Sequence, residues 1–364
     1  MEFNNRQKVY KKIKTMIDRI KSPTAMPIEG ANKLVSFEEG DFPNENKPTV
    51  LFVGIYSPLF NSDFMVRGFE QAGYRVEKMD WQLIKLNEQI PGLRERLIAK
   101  AKLSQPDLIF LHIQNEGVLD RGTVEVLQSV APTVSYNFDC RPYEQMKWAY
   151  DLAPYFELNL FSNTEDVQRC KALDINNCAV LQSSADYGLY KPEKYFSDPN
   201  HTEEIVFIGN KFDNTNMKFD NAAERTQMVE FLDKHYGKQF KAWGIGFSRM
   251  VKPEEEVVIY NSAKIAVTHN NFLRSRYCSD RGFRAMGCGC LTIHQYYPEI
   301  NKDFNSHVAS TWLNFDMLRE QIDIHLENEE LRIAKAKAGA EWVRENHSWH
   351  KRVLQLQELL KMNK

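Results

Sequence analysis

The sequence predicts an α/β protein that contains two successive, mostly parallel sheets. Short apolar runs rich in β-branched residues, such as TVLFVG at 49–54 and DLIFLHI at 107–113, alternate with stretches of helical length. Runs that are apolar on both faces are typical of parallel strands covered by helices on each side. The pattern begins again near residue 203, and a chain of 364 residues is long enough for two domains.

The first series of elements starts with a strand–helix–strand unit. TVLFVG is followed by the helical pattern DFMVRGFEQAGY and then by RVEKMDW, which has the character of a strand. Further strands of this series are predicted at 107–113, 133–139, 158–163 and 178–184. Helix-sized segments separate them, so a doubly wound sheet is expected.

The second series has similar length and spacing. Its strands are predicted at 205–210, 240–246, 263–269, 291–295 and 307–311. We therefore expect two Rossmann-like domains that face each other across a cleft, preceded by a helical extension. The predicted organisation is an N-terminal helix and linker at 1–47, a first domain at 48–190, a second domain at 191–345 and a C-terminal helix at 346–364.

The N-terminal segment is polar and rich in lysine. Residues 5–21 predict a basic amphipathic helix, whose apolar positions are Val9, Ile13, Met16, Ile17 and Ile20. A helix docked on the protein surface is the preferred interpretation, and a basic contact surface is the alternative. The segment from Pro23 to Pro48 is rich in Pro, Gly, Asn and acidic residues, which is typical of a linker.

Composition and charge argue against several classes of protein. The formal net charge is -2, which gives no overall attraction to nucleic acid or to an anionic membrane. The six cysteines lack the spacing of a disulfide framework, and no apolar run is long enough to span a bilayer. The N-terminus also lacks the apolar run of a signal peptide, so a reduced, cytoplasmic protein is expected.

Candidate ligand-binding residues follow the predicted strands of the second series. In open α/β sheets, ligands bind beyond the carboxyl ends of the strands. The residues at these ends, together with an arginine on the next helix, are Gly209, Asn210, Arg225, Gly244, His269 and Asn270. We expect the two glycines to let the backbone approach a ligand, and His269 to contact the ligand or to be a buried structural histidine.

A further candidate is the segment SDRGFRAMGCGCLTIH at 279–294. Ser279 is a plausible N-cap, Asp280 suits the positive end of a helix dipole, and Arg281 and Arg284 lie one turn apart. Free backbone N–H groups, the dipole and two guanidinium groups favour a diphosphate. The same residues also fit an ordinary helix with surface arginines, so this segment by itself does not identify a phosphate site.

Two common nucleotide motifs are absent. The first strand is not followed by G-x-G-x-x-G, and the chain contains no G-x-x-x-x-G-K-[ST]. This argues against a dinucleotide-dependent dehydrogenase and against a P-loop nucleotidase. Cys278, Cys288 and Cys290 lie close in sequence, but no further ligand completes a zinc spacing, so no metal site is expected.

The order of these motifs resembles that of a known family. FIGN, Arg225 within AAERTQMVEFL, WGIG, AKIAVTHN and SDRGFRAMGCGCLTIH are similar to the second domain of group 1 glycosyltransferases with the GT-B fold, especially the spore-maturation-protein-like branch. PDLIFLHIQ, FDCR and SSADYGLYKPE are similar to the first domain. The tail AKAGAEWVRENHSWHKRVLQLQELL resembles the family's closing helices, the last of which commonly crosses back to the first domain.

The chain departs from the family pattern at two positions. Arg284 stands where the family usually has a glutamate that contacts the nucleotide ribose, and Arg276 stands eight residues earlier, where a partner acid is common. A guanidinium group at such a position is expected to hold phosphate or a carboxylated sugar. The absence of both acids leaves open a catalytically inactive GT-B relative that binds a nucleotide or a partner.

The resemblance implies a hexosyl- or pentosyltransferase that uses a UDP-sugar or another nucleoside diphosphate sugar without a metal or other cofactor. Arg225, Arg281 and Arg284 are the expected diphosphate ligands. Asp139 is the preferred general base because it ends an apolar strand. His112 and Asp63 are the alternative bases, and Asp186 is expected to serve as a hinge or acceptor contact.

The sequence does not distinguish between several classes of acceptor. A small metabolite, a glycan, a protein and a hydroxylated base in DNA all offer a suitable hydroxyl group. A sugar-phosphate epimerase of similar architecture is a second alternative to a glycosyltransferase, since it would bind a nucleotide sugar without a separate acceptor.

Overall fold

A computed structural model provides the structure of the protein. It describes residues 47–57, 60–193, 201–212, 219 and 221–362. The helix predicted at 5–21 and most of the linker that follows it lie outside the described residues.

The first sheet contains six parallel strands in the order β4-β1-β5-β6-β7-β8. Each residue of β1, which lies between β4 and β5, is buried, as the continuous apolar run TVLFVG predicts. A short antiparallel hairpin, β2 with β3, follows β1. The strands are β1 (Thr49–Gly54), β2 (Tyr56–Ser57), β3 (Phe60–Asn61), β4 (Arg75–Asp80), β5 (Leu108–Leu111), β6 (Thr133–Asn137), β7 (Leu158–Phe161) and β8 (Cys178–Val180).

Five described helices connect the strands of this sheet. Asp80, Asp120 and Asn163 cap three of them, and each side chain accepts a hydrogen bond from a backbone N–H in the first turn. Their bounds are α1 (Asp63–Gln71), α2 (Trp81–Ser104), α3 (Arg121–Gln128), α4 (Tyr143–Leu152) and α5 (Thr164–Ala172). We call this sheet with its helices the first lobe.

The second sheet contains five parallel strands in the order β10-β9-β11-β12-β13. Its strands are β9 (Ile205–Ile208), β10 (Phe240–Trp243), β11 (Ile265–Thr268), β12 (Leu291–Gln295) and β13 (Ser310–Trp312). The later helices are α6 (Ala222–Tyr236), α7 (Pro253–Ser262), α8 (Asp280–Gly287), α9 (Phe315–Glu327), α10 (Glu329–Asn346) and α11 (Trp349–Met362). The second lobe is this sheet with helices α6 to α10.

The final helix, α11, packs on the first lobe. Trp349, Val353 and Leu356 belong to the same apolar core as Phe52 of β1. A Cβ atom at Gly68 of α1 would lie 2.7 Å from the Cβ of Trp349, so only glycine permits this close approach. The chain thus passes twice between the lobes.

The structure confirms the prediction of an α/β fold with two parallel sheets. Some strands are shorter than predicted. The strand predicted at 240–246 ends at Trp243, because Gly244 has a φ angle of 127° that a regular strand does not allow. The strand predicted at 178–184 ends at Val180, where the backbone turns toward the second lobe. An apolar run therefore marks a strand correctly but does not define its end.

A buried histidine makes the stability of the second lobe depend on pH. His294 of β12 lies 3.2 Å from the hydroxyl of Thr268 through Nδ1, and its ring stacks on Phe304 at 4.5 Å. Burial lowers the pKa of His294 to about 3.

Acidification is expected to destabilise the protein through this residue. Between the ordinary histidine pKa of about 6.5 and about 3, the unfolded chain binds a proton that folded His294 excludes, so the free energy of unfolding falls as pH falls. The His294 contribution is about 1.4 kcal/mol per pH unit in that range. Urea unfolding of the native protein and of His294→Asn between pH 7 and pH 4 measures it as a difference in slope. The exposed His235→Asn is the control, and equal slopes in the native protein and His294→Asn would contradict the assignment.

Candidate active site

Polar groups converge at the carboxyl edge of the second sheet, where β9 and β10 end together. The Asn210 side chain accepts a hydrogen bond from the backbone N–H of Ile245 at 3.0 Å. A Cβ atom at Gly244 would lie 2.1 Å from the carbonyl oxygen of Gly209, and one at Gly209 would lie 2.7 Å from the ring of Phe207. Neighbouring protein atoms therefore require glycine at both positions, and close approach of a ligand to this backbone stays a prediction.

Arg225 of α6 lies beneath this edge and is only 2% exposed. Its guanidinium group donates to the carbonyl oxygens of Asn210 and His269, each at 3.0 Å. No carboxylate among the described residues lies within ion-pair distance of it. Burial, followed by the nearby positive charge of Arg281, lowers the pKa of Arg225 to about 9. The arrangement leaves a buried positive charge that an anion would stabilise.

His269 is held in place by neighbouring polar groups. Its Nε2 lies 3.3 Å from Glu224, and Glu224 also accepts a hydrogen bond of 2.6 Å from Gln295. Gln295 in turn accepts from the backbone N–H of Asn270 at 3.0 Å. Burial lowers the pKa of His269, although Glu224 opposes this. A neutral, structurally fixed imidazole is the result.

The sequence analysis did not single out Glu224 or Gln295. Both could have been identified as site residues from their positions in the sequence, because Glu224 directly precedes Arg225 and Gln295 ends the predicted strand LTIHQ. A rule that collects every polar residue at a strand end would have found Gln295.

Asn270 positions the start of α8. Its side-chain oxygen accepts from the backbone N–H of Ser279 at 2.9 Å, and its amide donates to the carbonyl of Tyr277 at 3.2 Å. Ser279 has the extended backbone of an N-cap but makes no capping hydrogen bond through its side chain. Asp280 occupies the first turn, as predicted from the sequence.

A glycine brings α8 close to the sheet. A Cβ atom at Gly282 would lie 2.5 Å from the ring of His294 on β12, so no other residue fits without displacement. This places the first turn of α8, with Arg281, beside the strand ends that hold Arg225.

Arg281 is the arginine of this turn that remains available to a ligand. Its Nη1 lies 3.4 Å from the hydroxyl of Ser279, which is a weak contact. Within the described part of the chain, its buried Nε has no hydrogen-bond partner. Arg281 and Arg225 therefore form a pair of guanidinium groups that have no carboxylate partner among the described residues.

Arg284 differs from the expectation that it holds phosphate. It forms ion pairs with Asp280 and, at 2.9 Å, with Glu256 of α7. Glu256 also accepts a hydrogen bond of 2.8 Å from the hydroxyl of Tyr190. Two carboxylates thus neutralise Arg284, whose side chain is 16% exposed, and its charge serves to join α7 and α8.

Asp139 brings a carboxylate from the first lobe to the same region. It accepts a hydrogen bond of 3.3 Å from Arg141. Burial raises its pKa, whereas Arg141 opposes the change. The charges of Asp280 and Arg281 in the second lobe also act on this pKa, Asp280 raising it and Arg281 lowering it.

The two alternative bases lie in different surroundings. His112 is 3% exposed and packs on the rings of Tyr136 and Phe138, with ring centroids 5.8 and 6.3 Å away. Burial lowers its pKa to about 4, which is typical of a structural histidine. Asp63 forms an ion pair of 2.6 Å with Lys78. Neither arrangement presents a free base to the second lobe.

A loop of the second lobe binds the first lobe beside this region. The backbone N–H of Thr164 donates to the carbonyl of Ser275 at 3.0 Å, and the N–H of Ser275 donates to Glu165 at 2.9 Å. Phe272 and Tyr277 pack with Cys140 of the first lobe. The loop therefore closes one side of the space between the lobes.

Arg276, the residue at the other departure from the family pattern, lies in the same loop and is held by Asp303. It has a left-handed backbone with a φ angle of 59°, and its Nε donates to Asp303 at 3.1 Å. Asp303 is fully buried and also accepts hydrogen bonds from Gln182 at 3.2 Å and Tyr297 at 3.1 Å. Arg276 thus has a structural partner.

Asp186 lies at a crossing of the chain between the lobes. It forms an ion pair with Arg67 of α1 and accepts from the backbone N–H of Gly188 at 3.1 Å. Ala185 and Ser348 form a β-bridge beside it. These contacts give Asp186 structural partners at the crossing, and its role as a hinge or acceptor contact stays a prediction.

No three or more His, Cys, Asp and Glu side chains in the described part of the chain are grouped so that they could hold a metal ion. No described helix combines the length and apolar character needed to cross a membrane.

Comparisons with known proteins agree with this architecture. Residues 225–358 match the family described as glycosyl transferase-like. A comparison with curated proteins gave no match. Three solved structures are similar at 12% identity: a sucrose-phosphate synthase from Thermosynechococcus elongatus, Anabaena HepE in complex with UDP and glucose, and a glycosyltransferase from Rickettsia africae.

These structures match over most of their length. The matches cover 87%, 86% and 87% of this chain and 99%, 100% and 99% of the respective structures, with TM-scores of 0.58, 0.59 and 0.56. The protein has the GT-B fold, in which two Rossmann-like domains face each other. The residues that match the glycosyl transferase-like family, 225–358, run from α6 to α11 of this fold.

The ion pairs of Arg284 predict a role in stability. Arg284→Met leaves Asp280 and Glu256 buried without their cation, and breaking a buried pair in this way costs about 3–5 kcal/mol. We expect urea unfolding to show a loss of this size, against less than about 1 kcal/mol for Arg281→Ala. Similar losses in the two variants would contradict the different roles given to these arginines.

Proposed function

We propose that the protein transfers a glycosyl group from a nucleoside diphosphate sugar to a hydroxyl acceptor. The observation that carries this proposal is the buried guanidinium group of Arg225, which lacks a carboxylate partner in the described structure and has Arg281 as its neighbour. The order of the sequence motifs further favours the spore-maturation-protein-like branch of GT-B glycosyltransferases.

A diphosphate fits the charge of this site. Arginine binds phosphate through two parallel hydrogen bonds and keeps its charge at any physiological pH. The N–H groups of the first turn of α8 add further donors. Anabaena HepE, which has a similar fold, has been crystallised with UDP and with UDP-glucose. A UDP-sugar is therefore the donor that we propose.

Glycosyl transfer would place negative charge on the diphosphate. The bond between the anomeric carbon and the diphosphate oxygen breaks, and its electron pair remains on that oxygen. Arg225 and Arg281 would stabilise the charge that develops there. The acceptor hydroxyl forms the new bond to the anomeric carbon and loses its proton.

Asp139 is the proposed base for that proton. It lies in the first lobe, and burial raises its pKa, which makes the carboxylate a stronger base than an exposed aspartate. The acceptor would then bind on the side of the first lobe, near Arg141. A glycan and a hydroxylated DNA base are the acceptor classes proposed for testing.

The direct experiment measures release of nucleoside diphosphate from a panel of nucleotide sugars. Each donor is incubated with the protein alone and with candidate acceptors, including hydroxymethylated DNA. Release that increases with one acceptor supports transfer. Binding of a donor without any release would instead indicate an inactive relative, and a changed sugar without an acceptor would indicate an epimerase.

Arg281→Ala is expected to reduce donor turnover by about 100-fold or more, because one donor to the leaving group is lost. Steady-state release of UDP measures the effect. Arg121→Ala, which removes an arginine with a 63% exposed side chain from the first lobe, is the matched control. Equal activity of the two variants would exclude Arg281 from the site.

Arg225 can be tested through ligand-induced stability. UDP at about 100 times its dissociation constant should stabilise the native protein by about 2.7 kcal/mol, because it binds only the folded state. Arg225→Met should lose this stabilisation, as measured by thermal unfolding with and without UDP. Arg319→Met, which replaces an exposed arginine of the second lobe, should keep it. A full response to UDP in Arg225→Met would refute the proposed diphosphate contact.

A further inference from the structure

The second lobe carries a groove at the end of the sheet opposite the candidate active site. Its volume is about 480 Å³. Ala263 and Lys264 line it just before β11, whereas His269 follows that strand. The remaining walls come from helix α10, from Gly289 before β12, and from Tyr187 and Pro192 in the segment between the lobes.

The lining of this groove is strongly basic. Among the described residues, it contains the four cations Lys264, Arg332, Lys337 and Arg344 but one carboxylate, Glu341. Lys264 is neutralised by an ion pair with Glu204. The other three cations, all on α10, leave an excess of positive charge within the groove.

Arg332 is the buried member of this set. It is 7% exposed, and its Nη1 donates to the carbonyl of His325 at 3.0 Å. The carboxylate paired with it belongs to Glu329, which lies 3.4 Å away and has a 73% exposed side chain. A pair with so exposed a partner is screened by water and contributes little stability. Arg332 is therefore a buried cation with a weak internal partner.

The electrostatic surroundings agree with this excess. The pKa of His325 falls to about 4 because of burial and the positive charges of Lys335 and Arg332. Burial also lowers the pKa of Lys335, whose Nζ donates to the hydroxyl of Ser310 at 2.9 Å. Several basic groups thus share this side of α10.

Lys337 and Arg344 complete the basic wall. In the described structure, Arg344 pairs with the adjacent Glu345, at 3.3 Å and with a 65% exposed side chain, and it also interacts with the hydroxyl of Tyr187. Lys337 is exposed and forms no ion pair with another described residue. Both cations are free to reorient toward an anion in the groove.

The groove also has an apolar side. Ile333 is 56% exposed, and Ala336 and Ala340 lie beside it along the same helix. The volume falls within the range of about 300–1,000 Å³ that is typical of small-molecule sites. Cations beside an apolar wall suit a ligand with a phosphate group and a carbon portion.

We propose that this groove is a second ligand site, separate from the candidate active site, and that it binds a small phosphate ester. Arg332, Lys337 and Arg344 hold the phosphate group, and the carbon portion of the ester lies on Ile333. A bound ester also contacts Tyr187, which directly follows Asp186 at the crossing between the lobes. The proposal does not depend on glycosyl transfer.

Calorimetric titration with phenyl phosphate tests this site. The native protein should bind it more tightly than inorganic phosphate, because only the ester uses the apolar wall. Lys337→Ala/Arg344→Ala removes two exposed side chains, so the fold is retained, and should weaken binding at least tenfold. The matched control Arg319→Ala/Lys351→Ala removes two exposed cations outside the groove and should bind like the native protein.

Arg281→Ala separates this site from the proposed donor site. If the ester binds in the groove, Arg281→Ala should bind it with unchanged affinity, and amide exchange should slow in residues 332–344. Absence of binding to the native protein, an equal loss in the control double variant, or loss of binding in Arg281→Ala would each overturn the proposal. Equal affinity for inorganic phosphate and the ester would also overturn it.

Discussion

The arrangement of the two lobes depends on one buried carboxylate, that of Asp303. It is fully buried and accepts hydrogen bonds from Gln182, Arg276 and Tyr297. Gln182 leaves the first sheet, whereas Arg276 belongs to the loop that leads to α8. A buried charge is tolerated only when such partners surround it, so the three segments must meet in this geometry. The position of the proposed donor site follows from that requirement.

The arginines of the site show how internal partners decide function. Arg284 and Arg281 belong to the same short helix, yet Arg284 is neutralised by Asp280 and Glu256 while Arg281 keeps an unpaired Nε in the described structure. Arg225 is buried, and its guanidinium group donates to backbone carbonyl oxygens. A guanidinium group with two carboxylate partners stabilises the fold, whereas one with neutral partners can bind an external anion.

The sequence predicted the parts of the fold that local patterns encode. Runs such as TVLFVG have a period and composition that mark buried parallel strands, and the repeat of the series indicates the second sheet. Contacts between residues that are distant in sequence were not predicted. Glu256 lies 28 residues before Arg284, and the carbonyl of Gly209 that excludes a side chain at Gly244 belongs to a neighbouring strand. Such contacts depend on tertiary packing, which no local pattern records.

The return of α11 to the first lobe affects the order in which the chain can fold. Phe52 and Leu356 belong to one core although the entire second lobe lies between them in sequence. During synthesis, the surface of α1 around Gly68 therefore remains uncovered until Trp349 has left the ribosome. The nascent first lobe exposes apolar area throughout that interval. Chaperones that bind apolar surfaces would therefore have the longest time to bind there.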